Sequence, residues 1–361
     1  MTECRMTTVS RAPRAVADSG SPLLAEHTTM RVGGPAQRFA RANTPDDVAR
    51  IVGDADDQGT PVLILGGGSN VLVADEGFDG LVVQMGITGV RGTVSDCGGA
   101  VITVGAGEVW DDFVAYAVEQ EWVGPEALSG IPGSVGATPI QNVGAYGVEV
   151  REFIYQVRTW DRKTKQFRTF PAVDCEFGYR DSVFKQNPGR WVVVEVTFQF
   201  KLGNLSSPIR YAELAKQLDV QAGERADSTK VRETVLAIRA GKGMVLDDAD
   251  HDTWSAGSFF TNPIVDEATA ATLPDDAPRF PTPDGRVKTS AAWLIQHSGF
   301  DKGFRMGNAG LSTKHVLALT NRGGATATEL VALASHVRDG VEARMGIRLE
   351  PEVNLVGTTL K

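Results

Sequence analysis

Ser129-Gly-Ile-Pro-Gly-Ser-Val-Gly-Ala-Thr-Pro-Ile-Gln-Asn-Val-Gly-Ala-Tyr-Gly147 holds five glycines and two prolines in nineteen residues, with no charged side chain. A flexible linker would not carry the rigid Ile131-Pro132 and Thr138-Pro139 pairs beside Ile140, Val143 and Tyr146, which read as buried. The stretch suits an ordered loop whose backbone lies against a large flat ligand. Small residues permit close approach, and Ser, Thr, Gln and Asn supply neutral hydrogen bonds. A second glycine run stands upstream. Pro61-Val-Leu-Ile-Leu65 reads as a short buried strand, followed at once by Gly66-Gly-Gly-Ser-Asn70 and Val71-Leu-Val-Ala74. A loop in that place is where successive N–H groups converge on a pyrophosphate. It is neither a Walker A loop nor a GxGxxG fingerprint, and taken alone it reads better as a tight structural turn. The two runs together favour the ligand.

The 361 residues are enough for two or three domains at ~150 residues each. With 42% apolar and 22% charged residues the composition is that of a globular protein, and the net charge of −9 disfavours nucleic acid and anionic membrane as partners. No apolar run reaches the ~18 residues of a membrane span. Charge is unevenly spread. Residues 51–150 contain one basic residue, Arg91, against fourteen acidic ones, whereas residues 151–361 contain 28 Lys and Arg against 26 Asp and Glu. A polyanion bound by the first stretch must therefore be held by backbone N–H groups, and ligands that need cations fall to the second half. Cys4, Cys97 and Cys175 form no CxxC pair, and the odd count argues against a disulfide framework or zinc site. The five histidines stand singly without metal-ligand spacing, so no metal is expected. Residues 1–20 lack an apolar core for a secretory signal and are expected to be a disordered tail of a cytoplasmic protein.

Helices are expected from Thr44, with Thr44 as N-cap and Pro45 at N1, and at about 109–122, 229–240 and 289–298. The clearest one spans Thr326–Met345. There Thr326-x-x-Glu329 forms a capping box, and Leu330, Leu333, Ala334, Val337 and Val341 recur at helical spacing. Strands are expected at Leu81–Gln84, Val101–Val104, Phe153–Trp160, Gln166–Phe170 and Trp191–Phe200, and residues 263–288 read as a Pro- and Asp-rich loop. The first third thus reads as mixed α/β, rich in glycine turns, and residues 151–201 as β-rich.

Six motifs now stand in order: Thr28-Thr-Met-Arg-Val-Gly-Gly34, Leu65-Gly-Gly-Gly-Ser-Asn-Val-Leu72, the 129–147 loop, Phe177-Gly-Tyr-Arg-Asp-Ser182, Ala256-Gly-Ser-Phe-Phe-Thr-Asn-Pro263 and Leu349-Glu-Pro-Glu-Val353. Over about residues 22–357 the chain resembles the UDP-N-acetylenolpyruvoylglucosamine reductases, flavoenzymes of peptidoglycan precursor synthesis, in the subgroup with an extra tyrosine loop. Thr28, Thr261 and Asn354 depart from the residues usual in that family, commonly Asn, Lys and Arg. The resemblance implies a two-part FAD-binding domain of the vanillyl-alcohol-oxidase/p-cresol-methylhydroxylase type over 21–235, split near 90. It further implies an α+β substrate-binding domain over 236–348 and a C-terminal segment, 349–361, that returns to the active site. FAD would be held non-covalently by Gly66, Gly67, Gly68, Ser69 and Asn70 together with Ser129, Gly130, Ile131, Pro132, Gly133, Gly136, Ala137, Asn142, Gly144, Ala145, Tyr146 and Gly147.

The reaction implied is reduction of the enolpyruvyl ether of UDP-N-acetylglucosamine, with NADPH as reductant. Hydride passes from the flavin N5 to C3, and the charge left at C2 delocalises into the carboxylate as an enediolate. Two demands follow: groups that stabilise that charge, and a proton for C2. The resemblance assigns the proton to Ser258, and the charge to Arg180 and to a protonated Glu352, preferred over Glu350. A planar guanidinium suits bidentate carboxylate recognition. On sequence alone Arg180 reads as a turn arginine, Ser258 as a strand-entry serine and Glu352 as an exposed residue after Pro351. Tyr211, Arg239, Lys242, Asn262, Lys314 and His315 are implied to bind substrate, although both lysines alone read as solvated charges. A monomer is expected. One rival is an oxidase or dehydrogenase with tethered flavin, yet no histidine lies between His27 and His251 to tether it, which leaves Cys97. The other is a flavin-carrying binding protein without turnover, which has no need for Ser258, Arg180 and Glu352 together.

Overall fold

The computed structural model describes residues 5–14 and 22–360. The chain divides into two compact units. The first comprises residues 37–67 and 79–240 with the N-terminal stretch; the second comprises residues 21–36, 68–78 and 241–361. This differs from the contiguous division expected from the sequence, in which 21–235 forms one domain. The reason is non-local. Met30, Val32 and Leu72 are buried in the same apolar cluster as Phe259, Leu294, Leu330 and Val353. The strand Val71–Val73 pairs in parallel with Asn354–Val356, almost at the end of the chain.

In the first unit a seven-stranded sheet carries the core. Its central strand, Trp191–Leu202, pairs antiparallel with Gly99–Gly105 on one side and Ile154–Asp161 on the other. Successive side chains point to opposite faces, so Val196, Phe198 and Phe200 line one face, and all three are buried. Phe198 stacks on Phe113 of the helix Trp110–Glu119 at 5.2 Å between ring centroids, and Phe200 stacks on Trp122 at 5.9 Å. Aromatic pairs of this kind add ~0.5–1.5 kcal/mol beyond the area they bury. A smaller sheet orders Ala36–Ala42, Phe78–Met85 and Val62–Leu65, the last two parallel. The helix Pro45–Asp57 precedes Val62–Leu65 and starts as its sequence requires, with Thr44 and Asp47 forming a capping box and Pro45 at its first turn.

The sequence reading needs correction at three places. Met6–Arg11, within the tail expected to be disordered, is a strand paired antiparallel with Val90–Ser95; residues 1–4 and 15–20 of that tail lie outside the described residues. Its Thr7, Thr8, Ser10 and Arg11 suit a polar edge, and only pairing orders them. Residues 263–288 are not plain loop, because Ile264–Val265, Val287–Thr289 and Arg279–Pro281 form a small sheet. Cys97, just beyond the strand Val90–Ser95, is disulfide-bonded, and an odd cysteine count leaves room for one bridge. Cys175 is free, and burial pushes its thiol up to about 12.

In the second unit the helix Ala327–Met345 buries Leu330, Leu333, Ala334, Val337 and Val341, the face expected from their spacing, and Thr326 with Glu329 closes its capping box. Asp75 accepts from the N–H groups of Ala327 at 2.7 Å and Thr328 at 2.9 Å, adding an anion where the helix dipole favours one.

The first unit also offers a stability test. Gly53 lies inside the helix Pro45–Asp57, and a Cβ there would meet nothing within 4 Å. Gly53→Ala should raise the unfolding free energy by about 1 kcal/mol, the helix-propensity difference between the two residues. Chemical denaturation measures this, and a fall in the midpoint would contradict the open space beside Gly53.

Candidate active site

In the first unit the two glycine runs meet backbone to backbone. A Cβ on Gly67 would lie 2.9 Å from the Cα of Gly133, and one on Gly66 would run into the Ser134 hydroxyl. The second run is sewn to the frame around it. Trp110 N donates to Gly133 O at 3.0 Å, Val135 N to Glu108 O at 2.9 Å and Gly136 N to Ala106 O at 2.8 Å. Gly130, Gly133 and Gly147 take positive φ, the left-handed conformations that glycine adopts without steric cost. Asn142 and Tyr146 also take positive φ, of 45° and 51°, and such conformations in larger residues cluster at functional clamps.

Gly130 N donates to Asp111 Oδ1 at 2.6 Å, and Arg232 grips the same carboxylate through two nitrogens at 2.6 and 2.9 Å. Burial pushes the Asp111 carboxyl up, but the hydrogen bonds from Arg232 and Gly130 outweigh it and hold the group below its ordinary value. Sequence reading missed this pair. An aspartate in a first helical turn reads as a dipole partner, and neither contact is local.

Arg180 lies against the same loop. Its Nη2 donates to Gly144 O at 2.9 Å, and its own backbone takes a φ of 53°. Asn142 fastens the turn that carries it, with Nδ2 donating to Gly178 O at 2.9 Å and to Glu149 Oε2 at 3.1 Å. The Asn142 side chain is thus engaged within the chain. Tyr146 packs edge-on against the Tyr211 ring at 5.4 Å between centroids. Arg239 is buried next to Tyr146, with which it hydrogen-bonds, and burial pulls its guanidinium below the usual value. Arg239 backs Gly130, whose Cβ position is 3.3 Å from its Nε, whereas Tyr211 is exposed.

The second unit joins three segments that lie far apart in the sequence. Phe259, the residue after Ser258, accepts at its carbonyl from Glu352 N at 2.8 Å, and Thr261 N donates to Glu350 O at 3.0 Å. On the other side, Asn70 Nδ2 donates to Glu352 O at 3.2 Å, and Asn354 N donates to Asn70 O at 3.1 Å. Ser258 and Glu352 are therefore brought together on neighbouring backbones, with the end of the first glycine run against Glu352. Both residues are half-buried, whereas Glu350 is exposed. Gly68, with a φ of 61°, turns the chain where a Cβ would run into the His27 carbonyl.

The residues expected to bind substrate in this unit are placed as follows. Asn262 Oδ1 accepts from Ala291 N at 3.0 Å, at the start of the helix Ala291–His297. Lys314 Nζ donates to Asp250 Oδ2 at 2.6 Å, which raises the lysine and lowers the aspartate relative to their ordinary values. Ser312 Oγ accepts from the N–H groups of Lys314 at 3.0 Å and His315 at 3.3 Å. Lys242 and the Gly243 beside it follow the helix Ser228–Gly241.

These loops fit a dinucleotide in two respects. The Cβ positions that would separate the glycine runs are missing, and Arg91, the one basic residue of 51–150, is paired with Glu195 at 2.7 Å. Anion binding in this stretch is left to peptide N–H groups. Cys97, being in a disulfide, has no thiol for a flavin tether, and among the described residues no cluster of His, Cys, Asp or Glu could hold a metal.

Comparison with known proteins agrees with the geometry. Residues 36–169 match the FAD binding domain family, and residues 248–356 match the family described as UDP-N-acetylenolpyruvoylglucosamine reductase, C-terminal domain. The chain is 61% identical over 340 residues to the UDP-N-acetylenolpyruvoylglucosamine reductase of Cutibacterium acnes, covering 93% of this chain and 90% of that protein. It is 51% identical to the reductase of the same name from Saccharopolyspora erythraea, covering 95% and 96% of the two chains. The crystal structure of the Thermus caldophilus reductase aligns over 98% of this chain and 99% of its own, with a TM-score of 0.63 at 24% identity, a likeness of fold. The α+β architecture with an FAD-binding domain and a distinct C-terminal domain, expected from the sequence, is borne out.

Proposed function

Because the chain belongs to the UDP-N-acetylenolpyruvoylglucosamine reductase family, we propose that it reduces the enolpyruvyl ether of UDP-N-acetylglucosamine to the N-acetylmuramate with NADPH as reductant. The proposed setting is peptidoglycan precursor synthesis in the cytoplasm, with the chain acting as a monomer. No helix among the described residues is long and apolar enough to cross a membrane. Bound FAD would supply the two-electron chemistry that links the nicotinamide to C3 of the substrate.

The chain's own part is to hold the cofactor and to manage charge and proton at C2. In this reading the peptide N–H groups of Gly66–Ser69 and of the 129–147 loop hold the dinucleotide, consistent with the near absence of cations there. Hydride arriving at C3 leaves negative charge spread from C2 into the carboxylate. Arg180 meets that charge with a guanidinium, and Glu352 meets it as a protonated carboxyl donating a hydrogen bond. Ser258 Oγ then gives its proton to C2. A serine hydroxyl is a weak acid, so the step relies on the high basicity of the enediolate opposite it. Substrate binding is assigned to Arg239, Lys242, Asn262, Lys314 and His315. Tyr211 belongs to the proposed tyrosine loop, with the short helix Ala212–Leu218 behind it. Lys314 is ion-paired and Arg239 buried, so both would act by releasing a partner or by shaping the site.

The observation that carries this reading is the hydrogen bond of 2.8 Å from Glu352 N to Phe259 O, which sets the proposed acid next to the proposed proton donor. The test is product analysis. NADPH should be consumed one for one with the enolpyruvyl ether, and the product should gain two hydrogens. NADPH oxidation that ignores the UDP-sugar would favour a flavin-carrying protein of another kind.

A further inference from the structure

Glu352 is held at both of its peptide groups. Its N–H is taken by the carbonyl of Phe259, at 2.8 Å, and its carbonyl accepts the side-chain amide of Asn70, at 3.2 Å. One anchor follows Ser258 directly, and the other is the last residue of the first glycine run. Asn70 is itself braced. Its carbonyl accepts two hydrogen bonds from Asn354, from the backbone N at 3.1 Å and from Nδ2 at 3.0 Å. Immediately beyond, Asn354–Val356 runs in parallel register with Val71–Val73, with Asn354 opposite Val71. Asn354 and Asn70 thus close a ring of hydrogen bonds around residues 352–354.

Physical consequences follow from that ring. A glutamate on an irregular segment would sample several backbone conformations, and its carboxyl would move with them. Fixing the N–H on one side and the C=O on the other removes this freedom before substrate binds, so the cost of ordering is met in folding and not in the transition state. The arrangement also makes the glycine run part of the support of Glu352. Strand pairing alone would not do this, because the register begins at Asn354 and leaves Glu352 outside it.

We infer that Asn70, braced by Asn354, is a positioning residue for Glu352: its side-chain amide sets the carboxyl for the step at C2, and its contribution to holding the cofactor is secondary. This rests on the role proposed for Glu352, and the experiment separates the two.

Asn70→Ala, Asn354→Ala and Glu352→Gln are compared in three measurements: FAD affinity by fluorescence titration, flavin reduction by NADPH, and reoxidation of the reduced enzyme by the UDP-sugar substrate. Losing a hydrogen bond to a half-buried carbonyl corresponds to a rate effect of about tenfold. Asn70→Ala should slow reoxidation about tenfold more than it slows reduction. Asn354→Ala, which loses one of two donors, should slow reoxidation about threefold, with FAD affinity and thermal midpoint unchanged. A general loosening of the fold would move the midpoint and both half-reactions together, and that result would overturn the inference. So would an Asn70→Ala enzyme that loses FAD affinity while its bound fraction reoxidises at the normal rate. If Glu352→Gln slows reoxidation and neither asparagine variant does, the positioning role falls and the role of Glu352 stands. If Glu352→Gln itself reoxidises normally, both fall.

Discussion

Ser258→Ala should leave flavin reduction by NADPH within about twofold of the parent rate while lowering turnover of the enolpyruvyl ether by about three orders of magnitude, the middle of the range for loss of a positioned proton donor. The argument is one of position. Ser258 precedes Phe259, whose amide and carbonyl are both committed, to Leu317 O at 2.8 Å and Glu352 N at 2.8 Å. Phe259 and Phe260 are both buried, so the backbone on the carboxyl side of Ser258 cannot shift to let another hydroxyl substitute. Gly257 before it takes a φ of 71°, which sets the turn that presents the serine. Removing one oxygen therefore removes the proton and leaves the frame intact. Stopped-flow measurement of the two half-reactions separates the effects, and near-normal turnover would take Ser258 out of its role.

Gly67→Ala should cost the protein its cofactor. The added Cβ would sit 2.9 Å from the Cα of Gly133, a distance that atoms not bonded to each other do not tolerate. The obstacle is backbone, held by the hydrogen bond from Trp110 N to Gly133 O, so no rotamer change relieves it. The two glycine runs must separate by several tenths of an ångström. A site that holds its ligand through peptide N–H groups depends on such small distances, because hydrogen bonds weaken steeply with geometry. FAD affinity should fall at least about a hundredfold, equivalent to the loss of two or three hydrogen bonds, and the protein should purify nearly colourless. Gly66→Ala is the graded comparison. Its Cβ meets the Ser134 hydroxyl, a side-chain atom that can swing aside, so the loss should be smaller. Equal yellow colour in Gly67→Ala and the parent protein would contradict a backbone-held flavin.

Much of this was legible in the sequence where the deciding interactions are local. The capping boxes at Thr44 and Thr326 and the apolar face of Ala327–Met345 are short-range patterns, and the structure repeats them. So is the glycine run after a strand. The inward alternation of Val196, Phe198 and Phe200 follows from strand periodicity, although pairing extends the strand to Trp191–Leu202. What stayed hidden depends on partners far along the chain. Met6–Arg11 has no apolar face of its own and becomes a strand only by pairing with Val90–Ser95. The division into units escaped notice because Met30 and Leu72 bury themselves with residues beyond 258. Within the candidate site, the residue types were readable but their engagements were not. Asn70 reads as one more polar group in a phosphate loop, and its contact with Glu352 spans 282 positions. Lys314 reads as a solvated cation and is ion-paired with Asp250.

The most direct test of a flavin carried by backbone loops and discharged onto an enolpyruvyl ether is anaerobic double mixing. Enzyme is first mixed with one equivalent of NADPH, then with UDP-N-acetylglucosamine enolpyruvate, and the flavin absorbance is followed throughout. Bleaching in the first step and full recolouring in the second, with the reduced sugar nucleotide formed in equal amount, is the result predicted. A flavin that bleaches and stays bleached until air is admitted would contradict the account.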